Sequence, residues 1–453
     1  MKKIAFIVSK DVIKRNIYET DFWPEVSRVN SDSELHLIVE GGRKEIFEKE
    51  FGGPNVKIHE YDRHSYYGYN RWVFFLVRTG VNSHSTKTYR MRAYKRGEAS
   101  LRQLIVKEIL SMTVANFNLY KKFVRFLVSK MKIDENLRNI LDEIKPDLIF
   151  APSLIDNDYD VPICVEARRR GIRVVGMVRS WDNFNNHGIA AFIPDRLIVQ
   201  NTWLIEAAQK FQAVKKGFIK DVVGLPHYDL YKDPTSMIKP KEEFFAELGL
   251  DVNKKLILLG GSDFYYSEDK LPETINNYIE DGTIKQSAQV FFRPHPRSLF
   301  SRDEYNLDNL SHVILDGGKG GQTGFSDTDK LVNLFYYADV IIHIASTMAI
   351  DASVYGKPTM SINYDDPSKK LSYWESVHRL HDTFDHYEKL VNTGGCKTPK
   401  SKEELADFIN QYLENPELDA DGRQRILDTF VEPFDGKSGE RLAGIVNEEI
   451  GRL

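Results

Sequence analysis

A chain of 453 residues is long for one hydrophobic core and sets the expectation of two or three domains. Its 42% hydrophobic and 28% charged residues are those of an ordinary globular protein, which excludes a fibrous or disordered polymer. The net charge of −4 argues against nucleic acid as a partner; two cysteines, Cys164 and Cys396, argue against a disulfide framework, exclude a Cys-based zinc site and fit a reducing compartment.

The chain opens with Met-Lys-Lys-Ile-Ala-Phe-Ile-Val8, whose apolar run is cut short by Lys10, Asp11, Lys14 and Arg15. That run is too short for a signal-peptide core and fits a first buried strand. No stretch approaches the roughly 18 to 20 apolar residues that span a bilayer, so the protein is expected not to cross a membrane. Further strands are read at 35–39, 148–151, 174–178 and 196–199, each with helical sequence between them, which is the alternation of a parallel sheet covered by helices. The insert at about 63–132 reads as mostly helical. Leu101, Leu104, Ile105, Ile109 and Met112 fall on one helical stripe, and Phe123, Phe126 and Leu127 add apolar content.

The insert is also strongly basic. Between Arg63 and Lys132 there are fifteen Lys or Arg against two acids, Glu98 and Glu108, an excess of 13 that leaves the rest of the chain at −17. A solvated helical face would account for a charge run of this kind. Interleaved aromatics such as Tyr66, Tyr69, Trp72 and Tyr89 suit instead an interfacial patch for an anionic membrane or a phosphate-bearing acceptor.

After a turn-rich segment, Gly224-Leu-Pro-His-Tyr-Asp229, and a polar linker near 233–241, a second strand series begins: 255–259, 289–292, 313–315, 340–343 and 359–362. The fold class is therefore α/β, with two Rossmann-like parallel-sheet domains facing across a cleft. Their expected extents are 1–228 for an acceptor-binding domain and 240–420 for a donor-binding domain, with a helical tail at 421–453. Ligands of such sheets bind beyond the carboxyl ends of the strands, so the loops there carry the candidate chemistry.

Three such loops stand out in the second series. Gly260-Gly-Ser-Asp263 follows a strand; Gly261 and Ser262 allow backbone N–H groups to approach a phosphate, or simply form a turn. Arg293-Pro-His-Pro-Arg-Ser298 holds His295 between Arg293 and Arg297 on a loop stiffened by two prolines, which makes a diphosphate clamp or a structural turn. Ser346-Thr347 begin a helix, where hydroxyls and free N–H groups cap the helix and equally bind phosphate; Asp351, a turn later, is placed to accept from a ribose.

Arg293-Pro-His-Pro296, Ser346-Thr-Met-Ala-Ile-Asp-Ala352 and Gly356-Lys-Pro358 resemble the donor half of GT-B proteins. Bacterial surface-polysaccharide transferases, CDP-glycerol glycerophosphotransferases of teichoic acid synthesis and UDP-N-acetylglucosamine 2-epimerases all look similar here. Val223-Gly-Leu-Pro-His-Tyr-Asp229 is similar to the superfamily's hinge, and Phe434-Asp-Gly-Lys-Ser-Gly-Glu-Arg441 to its C-terminal signature. The resemblance implies that His295, Ser346 and Thr347 contact donor phosphates and that Asp351 stands where many GT-B enzymes bind ribose. It implies a nucleotide-activated sugar as substrate, no cofactor and no metal. The acidic motif that serves bacterial sialyltransferases as base has no counterpart beyond Val39-Glu-Gly-Gly42.

The first series must then supply the acceptor site. Asp182 and Asp156 are the candidate bases, each on a loop after a strand, because an acceptor hydroxyl must lose its proton to a carboxylate or His. Lys10, Arg15, Arg179 and Trp181 are candidates for holding a glycan or lipid-linked acceptor. His378 and His381, one helical turn apart, lack the further ligands of a recognised metal signature. The expected activity is glycosyl transfer from a nucleotide sugar to a surface-glycan or glycolipid acceptor, in the cytoplasm or on the inner face of the membrane. Glycerophosphate transfer from CDP-glycerol and UDP-N-acetylglucosamine epimerisation are the alternatives.

Overall fold

Ile4-Ala-Phe-Ile-Val8 is apolar at every position, as a strand covered on both faces must be, and all five residues are buried. In the computed structural model, which describes residues 1–62, 68–155, 159–262, 265–296, 298–305, 307, 309–317 and 327–453, this strand is β1 (Lys3–Val8). It is followed by β2 (Glu34–Glu40), β3 (Val56–Tyr61), β4 (Leu148–Ala151), β5 (Arg173–Met177), β6 (Arg196–Val199) and β7 (Asp221–Val222). These form one sheet in the order β3-β2-β1-β4-β5-β6-β7, with every neighbouring pair parallel. A second parallel sheet comprises β8 (Lys255–Gly260), β9 (Ala288–Arg293), β10 (Val313–Leu315), β11 (Val340–His343) and β12 (Thr359–Ser361), in the order β10-β9-β8-β11-β12.

Each strand read from the sequence is present, and β3 and β7 are additional. β3 lies at the sheet edge, where exposed Lys57 and Glu60 interrupt the strand beside the buried Ile58 and Tyr61, so it lacks the continuous apolar run of its neighbours. β7 is only two residues long.

The chain divides into two compact units: Met1–Leu230 together with Thr429–Leu453, and Tyr231–Asp428. The C-terminal helix Ser438–Gly451 therefore returns to the first unit, where Leu442, Ala443, Val446 and Ile450 join Phe6, Phe22, Trp23 and Phe150 in one core. Burying each leucine-sized side chain there contributes about 1.5–3 kcal/mol. Ion pairs fix the helix laterally. Buried Glu449 meets Arg173 and, at 3.0 Å, Arg196; Arg196 also holds Asp221 at 2.7 Å.

The motifs Val223–Asp229 and Phe434–Arg441 meet in this unit. Asp229 accepts from the Gly439 N–H at 2.7 Å, and Arg441 Nε donates to the Val223 carbonyl at 3.1 Å. Gly224, at φ +87°, brings its backbone against Ser438 and within 2.6 Å of the Pro433 carbonyl, measured from where a Cβ would stand. Only glycine fits there.

The insert forms helices Gly68–Thr79, His84–Lys95, Leu101–Thr113 and Asn118–Ser129. It is stitched to the segment after β5. Ile189 N–H donates to the Val77 carbonyl at 3.1 Å, Ser83 Oγ donates to the Asn185 carbonyl, and the Tyr89 and His187 rings lie 5.7 Å apart. Among the described residues no helix is long and apolar enough to cross a membrane.

In the second unit Phe244 and Phe245, on helix Lys241–Leu248, pack with Leu256, Leu258, Phe291, Leu334 and Ile341. Both sheets reverse their strand order at an internal point, between β1 and β4 in the first and between β8 and β11 in the second. Crevices of doubly wound sheets open there.

Candidate functional site

In the second unit three strand-end loops converge at this reversal. Gly260 ends β8 against Met348, at the start of the helix Met348–Val354, so closely that a Cβ would collide with the sulfur. Gly261 abuts the next loop, and a Cβ there would lie 2.7 Å from the His295 nitrogen and 2.9 Å from Pro294 Cα. The glycines thus let the loops after β8, β9 and β11 pack together. Their backbone donors are already engaged: Gly261 N–H bonds the Arg293 carbonyl at 2.8 Å, and Ser262 N–H bonds the Glu268 carboxylate.

Glu268 is the hub of this arrangement. It is fully buried, and it also accepts from Tyr305 OH at 2.5 Å and Ser298 Oγ at 3.3 Å, tying the loop after β8 to the loop after β9. Burial, reinforced by the Glu268 charge, pushes the Tyr305 hydroxyl well above its ordinary value, so it stays a neutral donor.

Arg293 Nη1 meets Asp316 Oδ2 at 2.7 Å, and Lys330 Nζ meets Asp316 Oδ1 at 2.7 Å. Two cations thus share one carboxylate. A cavity of about 450 Å³ opens over them, with His295, Ser298 and Tyr305 also in its wall. Its polar lining, with Arg293, His295 and Lys330 as candidate donors, suits an anionic ligand of nucleotide size. Arg297 lies outside the described residues.

Across the reversal, Ala345 takes a left-handed conformation at φ +41°, held by its N–H donating to Ser361 Oγ at 2.9 Å. A non-glycine residue there is strained, and the bend it makes starts the following helix. Ser346 Oγ accepts from the Met348 N–H at 3.3 Å, whereas exposed Thr347 makes no capping bond with its side chain. Asp351 is half-buried beside Tyr355, whose hydroxyl is raised first by burial and then by that carboxylate. Beneath, buried His343 is pushed down to about 3 by burial and then by His381, which keeps it neutral. His381 Nε2 lies 3.0 Å from the Ile362 carbonyl, and His378 Nδ1 lies 2.8 Å from Asn363 Oδ1. Among the described residues no three His, Cys, Asp or Glu side chains are grouped to hold a metal ion.

In the first unit the loops after β4, β5 and β6 are drawn together by Arg179. Its Nη1 reaches Ser153 Oγ at 3.5 Å, and its carbonyl accepts from Gln200 Nε2 at 3.2 Å. Buried Asp160 accepts from the Ser153 N–H at 3.1 Å. Asp182 is half-buried, and its carboxylate accepts from the amides of Asn186 and, at 3.4 Å, Asn183. Its neighbour Trp181 is buried edge-on against Phe430, ring centroids 4.9 Å apart, so it packs the interior instead of presenting a face to a ligand. After β1, half-buried Lys10 starts the short helix Asp11–Ile13, and exposed Arg15 donates to Asn16 Oδ1 at 2.9 Å. Asp156 lies outside the described residues.

No protein-family model and no curated protein sequence matches the chain. Solved structures do match along its whole length. The UDP-GlcNAc 2-epimerase of Methanocaldococcus jannaschii is similar at 14% identity and a TM-score of 0.54, covering 99% of this chain and 100% of that one. The UDP-GlcNAc 2-epimerase of Neisseria meningitidis, bound to UDP-GlcNAc, is similar at 12% identity and a TM-score of 0.53, covering 100% of both chains. The wall teichoic acid polymerase TagF, soaked with CDPG, is similar at 10% identity and a TM-score of 0.50, covering 99% of this chain and 89% of that one. The chain has the GT-B fold.

Within this GT-B fold the sequence singled out Arg293, His295, Ser346 and Thr347 by their position after strands, but not Glu268, Asp316 or Lys330. Asp316-Gly317 directly after β10 carried the same strand-end signal and was the one legible hint. Glu268 and Lys330 are joined to the site only by tertiary packing. In the first unit Ser153 and Gln200 lie on loops after strands and Asp160 begins the helix after β4, so all three carried the same strand-end signal, from which Asp156 was chosen instead.

Proposed function

We propose that this protein is a metal-independent glycosyltransferase that moves a sugar from a nucleotide-linked donor to a glycan or lipid-linked acceptor at the cytoplasmic face of a membrane. The observation that carries the reading is the polar cavity over Arg293, Asp316 and Lys330, beside His295 and on a doubly wound sheet. Similar folds bound to UDP-GlcNAc or soaked with CDPG support a nucleotide as the anion. Arg293, Lys330 and His295 would balance the phosphate charge, with Thr347 and Ser346 at the helix start and Asp351 for the ribose.

In the transfer step the acceptor oxygen forms a bond to the anomeric carbon while the bond from that carbon to the phosphate oxygen breaks. The nucleotide leaves with the electron pair, and the acceptor proton passes to a carboxylate. Asp182 is our assignment for that base, since two asparagine amides orient it, with Asp156 the alternative. Lys10, Arg15 and Arg179 belong to the acceptor side.

The test is a thermal-shift screen with CMP, CDP, UDP, UMP and GDP, because a ligand at about 100 times its Kd stabilises by roughly 2.7 kcal/mol. At least one nucleotide should raise the Tm without added metal. If all leave it unchanged, the donor site is wrongly placed. A second reading, epimerisation of UDP-N-acetylglucosamine, draws on the full-length similarity to two such enzymes. Conversion of UDP-GlcNAc with no acceptor present would favour it over transfer.

A further inference from the structure

Two helices of the insert are built inside out. On Asn118–Ser129 the residues facing the protein include Lys121 (3% exposed) beside Val124 and Val128, while Leu119 (78%), Phe123 (51%) and Phe126 (58%) face outward. Arg125 turns inward as well, donating to the Ala190 carbonyl at 2.9 Å and the Gln212 carbonyl at 2.6 Å. On Leu101–Thr113 the sequence stripe faces away from the core: Leu104 is buried, but Leu101, Ile105, Ile109 and Met112 are 48–65% exposed. Positions i, i+4, i+8 and i+11 lie within one narrow arc of a helix, so these four make a continuous apolar ridge. Both helices pack on Gly68–Thr79, which adds half-exposed Trp72.

Large apolar side chains scattered singly over a surface are ordinary; apolar ridges on two helices that share a packing partner, one of them with Lys121 and Arg125 turned inward, are not. The charge around them says what covers them. Arg71, Arg102, Lys122, Lys130 and Lys132 are exposed, and Glu98 is the one exposed acid between residues 68 and 132. Where the second ridge ends, a cavity of about 270 Å³ is walled by Arg125, Lys130, Arg168 and Arg169. A second copy of the chain meeting this face by two-fold symmetry would set these cations against themselves. An anionic bilayer complements both features, taking Phe, Trp, Ile and Leu into its interface and Lys and Arg at its phosphates.

We propose that residues 68–132 dock this protein on an anionic lipid bilayer by inserting the ridges of Leu101–Thr113 and Asn118–Ser129, with the basic rim on the headgroups. This goes beyond the catalytic reading and does not depend on it. It also gives the acceptor side a location, since the insert braces the segment that carries Asp182.

The experiment is flotation of the full chain, without nucleotide or acceptor, on vesicles of phosphatidylcholine alone or mixed with phosphatidylglycerol. Binding should require phosphatidylglycerol at low salt. A fraction should persist at about 1 M NaCl, where charges are screened beyond about 3 Å but apolar insertion is not. Ile109→Asp and Phe123→Asp should each weaken binding roughly tenfold, as losing one inserted side chain implies. Both residues are more than half exposed, so melting curves should match the wild type; Ile109→Ser with Phe123→Ser is the milder pair, expected to act in the same direction. Vesicle binding unaffected by these substitutions, or abolished entirely by salt, would overturn the inference. So would a dimer in sedimentation that the substitutions dissociate while vesicles are ignored, which would assign the ridges to a second copy.

Discussion

Replacing Glu268 by alanine tests whether a buried carboxylate organises the loops after β8 and β9. The side chain accepts from Ser262 N–H, from Tyr305 OH at 2.5 Å and from Ser298 Oγ at 3.3 Å. Ser298 and Tyr305 keep each other at 2.6 Å after truncation, so the principal orphan is the Ser262 N–H in a residue 6% exposed. An orphaned buried donor costs about 1–3 kcal/mol, and loss of a bond to a charged acceptor about 1.5–3. A net loss of about 3 kcal/mol is therefore expected in the unit Tyr231–Asp428. For a unit of that size 1 kcal/mol corresponds to roughly 2–4 °C, so its transition in scanning calorimetry should fall by roughly 6–12 °C. Glu268→Gln keeps one acceptor for Ser262 and should lose less than half as much. Nucleotide affinity should fall with the alanine variant, because Gly261 lies against the Glu268 carboxylate on one side and the His295 backbone on the other. If Glu268→Ala melts within about 2 °C of the wild type, the loops are held by something other than this carboxylate.

Asp435 is paired with Arg441 at 2.9 Å by two bonds, which with the attraction of that guanidinium hold its carboxyl at about 2. A carboxylate depressed on folding stabilises the fold above its unfolded value near 4, and the contribution is lost as pH falls toward about 2. Asp435→Asn should therefore flatten the fall of Tm between about pH 4 and 2, with a cost at pH 7 under about 1 kcal/mol because the pair is half exposed; an unchanged slope would refute the linkage. Gly224→Ala should cost more than about 2 kcal/mol, from a strained φ and the clash with Ser438 and the Pro433 carbonyl, seen as loss of folded protein or a lower urea midpoint. His295→Ala should weaken nucleotide binding in calorimetry, roughly tenfold for one charge-assisted bond. Asp182→Ala should leave that affinity intact and abolish transfer; unchanged turnover would remove Asp182 from the base role.

The sheets were legible because buried parallel strands are apolar at successive positions, as in Ile4–Val8 and Val340–His343. β3 was not, since an edge strand interrupted by exposed Lys57 and Glu60 lacks that run. The loops of the candidate site were legible as residues after strands, yet not as a network, because Glu268 reaches Ser262, Asp316 reaches Arg293 and Lys330 reaches Asp316 only through tertiary packing. The stripe of Leu101–Thr113 illustrates a different limit. Periodicity reports that one side of a helix is apolar, not which way that side points; here it points away from the core.

The return of Ser438–Gly451 to the first unit bears on how the chain is made. Residues Tyr231–Asp428 are contiguous and can complete their core as soon as they leave the ribosome. The unit synthesised first must wait, because Leu442, Ala443, Val446 and Ile450 close its core and Glu449 its Arg173–Arg196 edge. During that interval Phe6, Phe22 and Phe150 are left partly uncovered, so translation stalled short of Ser438 should yield chains whose second unit resists protease while the first is digested.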